Sequence, residues 1–254
     1  FKAKSLTDIM ARSGDCKYRF GLTGTLDGTQ THRLVLEGLF GKVTQVTTTK
    51  ELMDDETLAK LDIDCVVLKH TDEECKRIKK YTYAEELNYI VSHTKRNKFI
   101  ENLCKTIKGN TLVLFQLVDK HGVLLHNEIK KLDKKVFFVY GGTTTETREK
   151  IRGIVEKEKD SLIIASYGTF STGINIRNIN NIVFASPSKS KIRVLQSIGR
   201  GLRKMENKSV VRLFDIADNA SYKSRQNFTY RHFTERLNIY KGENFNYKVS
   251  RVNL

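Results

Sequence analysis

Toward the end of the chain, Gln196-Ser197-Ile198-Gly199-Arg200-Gly201-Leu202-Arg203 sets two arginines three residues apart. On a helix that spacing sends both guanidinium groups out from one face. A guanidinium stays charged and grips phosphate oxygens through paired hydrogen bonds. Two glycines inside a helix each cost about 1 kcal/mol against alanine. A helix that keeps them gains a close approach, to a nucleotide or to another backbone. A solvated basic helix is the plainer reading of the same residues.

Three other segments carry donors for phosphate or sugar. Tyr140-Gly141-Gly142-Thr143-Thr144 follows an apolar run and precedes a helix containing Arg148. Backbone N–H groups freed at such a helix start cradle anions, although the segment serves equally as a plain strand–helix connection. Ser166 to Asn175 brings two glycines, four serine or threonine hydroxyls and an asparagine into ten residues. Thr23-Gly24-Thr25 closes a short apolar run with two hydroxyls around a glycine. It suits a hydrogen-bond relay and also an ordinary turn.

The elements that must hold these residues read as an α/β pattern. Leu112–Phe115, Val136–Tyr140, Leu162–Ser166, Ile182–Ala185 and Val210–Phe214 are short β-branched or aromatic runs, mostly apolar throughout. That is the signature of parallel strands covered on both faces. Helical segments His121–Leu132, Thr145–Lys157 and Val194–Leu202 lie between them, which specifies a doubly wound sheet whose ligands gather at the C-terminal strand ends. Ahead of this, a helix over 4–13, strands over 18–22, 42–47 and 64–69 and a helical 49–61 are too few for a sheet of their own. A long helix, Ala84–Cys104, opens the second part. The expected domains are 1–85 and 86–254.

Composition narrows the partners. Forty-five Lys and Arg face 29 Asp and Glu, a formal net charge of +16. A surplus that size, spread along the whole chain, points to a polyanion, with nucleic acid favoured over a merely basic surface. Cys16, Cys65, Cys75 and Cys104 are too scattered for a zinc knuckle and read as reduced thiols of a cytoplasmic protein. No apolar run approaches the roughly 20 residues of a membrane span. The chain starts at Phe1 without a signal or transit peptide, a start that fits a chain cut from something longer.

Taken in order, GLTGTL (21–26), TLVLF (111–115), YGGT (140–143), ASYGTFSTGIN (165–175) and QSIGRGLR (196–203) resemble motifs III and IV, the following turn, and motifs V and VI of superfamily 2 helicases. Leu39-Phe40-Gly41 with the alternating run after it resembles the branch-processing members. The resemblance covers essentially the whole chain. It implies a second RecA-like lobe preceded by the C-terminal portion of a first, with ATP and Mg²⁺ held in the cleft between lobes. Arg200, Arg203 and Gln196 would then be catalytic, and Gly173 and Asn175 would join both arginines in binding nucleotide. Thr23, Gly24 and Thr25 would couple the nucleotide to the strand, whose backbone would lie on Gly142, Thr143, Ser166 and Thr169. The implied partner is branched or fork-like DNA, with RNA–DNA hybrids also possible, and the implied state is a monomer in the cytoplasm (the host's, if phage-encoded).

Departures from the pattern matter. No G-x-x-x-x-G-K-[ST] occurs, and Gly41-Lys42 lacks the loop and the hydroxyl. Asp72-Glu73-Glu74-Cys75 comes after motif III and reads as a solvated acidic helix start rather than a metal-binding box. Motif III has Thr-Gly-Thr where the family more often has alanine at the centre. The 254 residues therefore hold half of an ATPase site, and the chain by itself is expected to be inactive. The competing expectations are a non-catalytic nucleic-acid-binding RecA-like module and an RNA or R-loop helicase.

Overall fold

Every apolar β-branched run of the second part becomes a strand, and all of them enter one sheet. The structure, a computed structural model, describes residues 4–23, 26, 30–169, 176–188, 190–203 and 209–254, without the side chains of residues 4–6, 191–193 and 200. The strands are β1 (Lys60–Lys69), β2 (Thr111–Phe115), β3 (Lys135–Val139), β4 (Ser161–Ser166), β5 (Asn181–Phe184), β6 (Val210–Asn219) and β7 (Asn246–Asn253). They run in the order β3-β4-β2-β5-β6-β1-β7, each neighbour parallel. Central β2, β4 and β5 are buried along their whole length, while edge strands β3 and β7 are partly open. The fold class is the expected doubly wound α/β sheet.

Side chains alternate across the sheet, and each face has its own helices. On one face Leu112, Leu114 and Ile163 pack with α8 (Thr145–Val155), α9 (Lys191–Gly201) and α10 (Phe228–Gly242), through Val155, Val194, Ile198 and Phe233. On the other, Val113, Phe115 and Ile164 meet α6 (Thr94–Thr106) and α7 (Val123–Ile129), through Ile100, Cys104, Leu125 and Ile129. A single π-turn, Val118–Gly122, leads into α7.

Two compact units divide the chain, Phe1–Thr48 and Thr49–Leu254, so the boundary differs from the one expected at 85/86. The reason is β1. Leu61, Ile63, Cys65 and Val67 alternate into the core, and ten residues pair in register with β6, from Lys60↔Val210 to Lys69↔Asn219. The expected helix over 49–61 accordingly stops early, as α3 (Thr49–Asp54). After β1, α4 (Asp72–Ile78) and α5 (Tyr83–Ser92) also belong to the second unit. The long helix expected from Ala84 to Cys104 is broken at His93, whose backbone is extended and whose ring Nδ1 accepts from the N–H of Arg96 to cap α6.

In the first unit, α1 (Lys4–Ala11) forms as expected, and α2 (Gln30–Phe40) follows it. The two expected strands, 18–22 and 42–47, are irregular instead. A strand persists only with a partner and a covering layer. Among the described residues of this unit neither segment has one, and Phe20, Leu22 and Val46 stand 84, 98 and 92% exposed.

Candidate functional site

Four adjacent strands, β3, β4, β2 and β5, bring their C-terminal ends side by side. After β3, the Thr143 N–H donates to the carbonyl of Tyr140 at 2.9 Å, and the Tyr140 N–H donates to Thr143 Oγ1 at 3.1 Å. Thr144 then caps α8 by accepting from the N–H of Thr147. Gly141 and Gly142 sit exposed on this tight turn. At the end of β4, Ser166 and Thr169 are both buried, and Ser166 Oγ donates to Thr169 Oγ1 at 2.8 Å. The pair braces the turn and leaves Gly168 at the surface. Gly173 and Asn175 fall outside the described residues, as do Gly24 and Thr25. Thr23 is exposed in the first unit.

α9 turns Val194, Ser197, Ile198 and Gly201 inward and Gln196 and Gly199 outward, with exposed Arg203 just past its last turn. Arg200 belongs to the helix, and its side chain lies outside the described residues. The sequence makes this helix amphipathic, and the sheet then fixes its height. A methyl group at Gly201 would lie 2.6 Å from Ile182 Cδ1, so glycine permits the close approach. Beyond the helix, the Ala59 N–H donates to the carbonyl of Leu202 at 2.8 Å, and Leu58 and Arg203 form an antiparallel bridge. Helix and arginine are thus tied to the sheet at both backbone and side-chain level.

A buried ionic layer under this edge was not read from the sequence. Arg96 Nε donates to both Asp218 oxygens at 2.9 Å, and its Nη2 donates to the carbonyl of Ala185 at 2.7 Å. Burial alone would raise the Asp218 pKa, but the Arg96 charge and the His70 hydrogen bond outweigh it and hold the carboxyl below its ordinary value. A second pair, Arg236 and Asp215, is equally buried, with contacts of 2.7–3.1 Å, and Tyr240 Oη donates to the same carboxylate at 2.8 Å. Arg236 Nη1 donates to the carbonyl of Ser188, just past β5. The available signal was acids inside an apolar strand, Asp215 and Asp218 in β6, since a buried carboxylate requires a cation. Ending that strand at Phe214 hid them.

His70, Glu74 and His93 bring their ligand atoms within 4.8 Å of one another. The hydrogen bonds account for this cluster without an ion. His93 Nδ1 accepts from a backbone N–H, so its Nε2 carries the proton and donates to Glu74 Oε1 at 2.7 Å. Glu74 also accepts from Tyr89 Oη and from the Thr71 N–H in a capping box. Burial opposes ionisation of Glu74, but these donors hold it well below the carboxylate range. The acidic helix start is therefore real, with its third acid drawn inward rather than solvated.

Residues 94–205 match the helicase conserved C-terminal domain. The chain is 36% identical to the ATP-dependent DNA helicase uvsW of Enterobacteria phage T4, over 99% of the chain and 52% of that relative. It therefore spans about half the length of this relative. The crystal structure of T4 UvsW superposes with a TM-score of 0.67 at 34% identity, over 87% of this chain and 45% of that one. A fragment of a putative HsdR subunit of a type I restriction enzyme from Vibrio vulnificus shares the fold, with a TM-score of 0.65 at 15% identity over 89% of this chain and 42% of that one. The chain belongs to the superfamily 2 helicases, whose conserved C-terminal domain it carries on a RecA-like sheet.

Proposed function

We propose that the chain is the C-terminal part of an ATP-dependent DNA helicase or translocase that unwinds or branch-migrates branched DNA in recombination, repair and replication restart. The observation that carries this reading is α9, which exposes Gln196 and places exposed Arg203 at its end while Gly201 seats it directly on the sheet. These residues fit a nucleotide. Arginine and glutamine suit a polyphosphate and its attacking water, and no acid occurs between Lys191 and Arg203 to repel it. ATP with Mg²⁺ supplies the phosphoryl group whose hydrolysis drives movement. Arg200 and Arg203 neutralise charge on the phosphates from the opposite side of a closing cleft, Gln196 orients water, and Gly173 and Asn175 meet the sugar.

The strand ends carry the nucleic acid. Exposed Gly142 and half-buried Thr143 lie against the phosphate backbone, while Ser166 and Thr169 act indirectly, by bracing the turn that presents Gly168. Such contacts hold a strand without reading its sequence. Residues 1–48 are read as a portion of a first lobe, an assignment supported by exposed Phe20, Leu22 and Val46, and Thr23, Gly24 and Thr25 pass motion between nucleotide and strand. Among the described residues no helix is long and apolar enough to cross a membrane, and we place the protein in the cytoplasm as a monomer. The test is steady-state ATPase of the full-length gene product with forked, four-way and linear duplex DNA, beside the 254-residue chain. Strong stimulation by branched DNA, with binding but no turnover by the chain alone, is expected. Equal rates with and without DNA would sink the reading.

A further inference from the structure

A cleft of about 500 Å³ opens beside Gln116, Pro187 and Ser188, and its other wall belongs to α5 and α10. Gln116 follows β2 and Pro187 follows β5, so the cleft continues the row of strand ends that begins with Gly142 after β3 and Ser166 on β4. At about 4.8 Å per strand the row is roughly 14 Å long. Its lining changes character at this end. Tyr83, Phe228 and His232 enter it, with Tyr83 and Phe228 edge to face at 6.1 Å and Tyr83 and His232 tilted at 5.2 Å. The Arg231 guanidinium lies 4.7 Å from the Phe228 ring centre, with Arg225 on the same ring at 5.9 Å. Exposed Glu235 stands on the wall.

From this arrangement we infer that the cleft takes a nucleobase of single-stranded DNA, unstacked from its neighbours. The inference rests on the strand-end reading above and extends it. Aromatic rings offer flat apolar faces that any base can stack on, at roughly 1–3 kcal/mol per base. Two arginines over Phe228 supply cation–π contact and charge for the phosphate outside. The carboxylate of Glu235 repels phosphate and accepts from the N–H groups of a base edge, so the base, and not the backbone, enters. A volume of this size is ordinary for a small-ligand site.

The test uses the full chain and a 20-nucleotide single strand carrying one 2-aminopurine flanked by abasic positions, so that its emission is quenched by stacking on the protein and not on neighbouring bases. The wild-type chain should bind and quench. Phe228→Leu, which keeps an apolar side chain but no ring, should bind at least 5-fold more weakly and release the quench, and Phe228→Trp should restore both. The dependence of log K on log salt should be unchanged in Phe228→Leu, because no phosphate contact is lost, and about one charge shallower in Arg231→Gln. If the wild type binds DNA but Phe228→Leu and Tyr83→Leu retain both affinity and quenching, the cleft is overturned while the strand-end reading stands. No binding by the wild type would overturn both.

Discussion

Asp218 is the residue whose removal the structure penalises most clearly. It and Arg96 are fully buried, and the guanidinium contacts both carboxylate oxygens at 2.9 Å. Asp218→Ala keeps the cation inside the protein with only the Ala185 carbonyl as acceptor. Breaking such a buried pair on one side costs about 3–5 kcal/mol, a large fraction of the roughly 5–15 kcal/mol that holds a domain folded. For a unit of this size about 2–4 °C of melting temperature goes with each kcal/mol. The variant should therefore melt about 6–20 °C below wild type while remaining folded at 20 °C. Its counterpart is Glu146→Ala, which removes an ion pair with Lys150 whose side chains are 77 and 71% exposed and should cost under about 1 kcal/mol. Replacing both buried partners, Arg96→Met with Asp218→Leu, should recover much of the loss, because no orphaned charge remains. Urea unfolding followed by circular dichroism measures all three. A cost for Asp218→Ala no greater than that for Glu146→Ala would refute the reasoning.

Acid should destabilise the protein through the same layer. Asp218 and Glu74 are both held below their ordinary values in the folded state. Their stabilisation is then complete above the unfolded carboxylate pKa near 4 and is lost as pH falls through the lower folded values. The urea midpoint should hold its level from pH 7 to 5 as far as these groups act, then drop below about pH 4, with a weaker drop in Asp218→Asn; a midpoint as high at pH 2.5 as at pH 6 contradicts this. Gly122→Ala should cost about 1–3 kcal/mol by overpacking. The added methyl would sit 2.5 Å from two ring carbons of buried Phe115, itself stacked on Phe138 at 5.5 Å. Gly153→Ala in α8, where nothing lies within 4 Å, should instead stabilise by up to about 1 kcal/mol. Equal midpoints for the two glycine variants would show that the ring yields freely.

What the sequence revealed follows from which signals are local. Apolar runs such as Leu112–Phe115 and Leu162–Ser166 needed no partner to be recognised, and the helix at 191–201 carried its own periodicity. β1 was recognised as a strand but assigned to the wrong unit, because its neighbour β6 lies about 150 residues onward and pairing at that distance leaves no local mark. The break at His93 was hidden by good helix formers on both sides, and a side-chain cap decided it. Asp215 and Asp218 were missed with the second half of β6. Of the proposed site, the glycine turn after β3 and the helix of α9 were legible, whereas Arg203 falls past the end of that helix, in the bridge to Leu58, and not on its face. The burial of Ser166 and Thr169 was not, since small hydroxyls suit a braced turn as well as an open one.

The central claim is that α9 faces a nucleotide and not the DNA. Steady-state ATPase of the full-length gene product carrying Arg203→Ala, with saturating branched DNA and a parallel DNA-binding titration, tests it most directly. An arginine meeting phosphate from the opposite lobe is worth roughly 10³–10⁵ in rate. Turnover should fall by about that factor, DNA affinity should stay within about 2-fold of wild type, and Arg203→Lys should rescue poorly because an ammonium lacks the planar fork. Near-normal turnover together with lost DNA binding would make α9 a nucleic-acid contact and contradict the account.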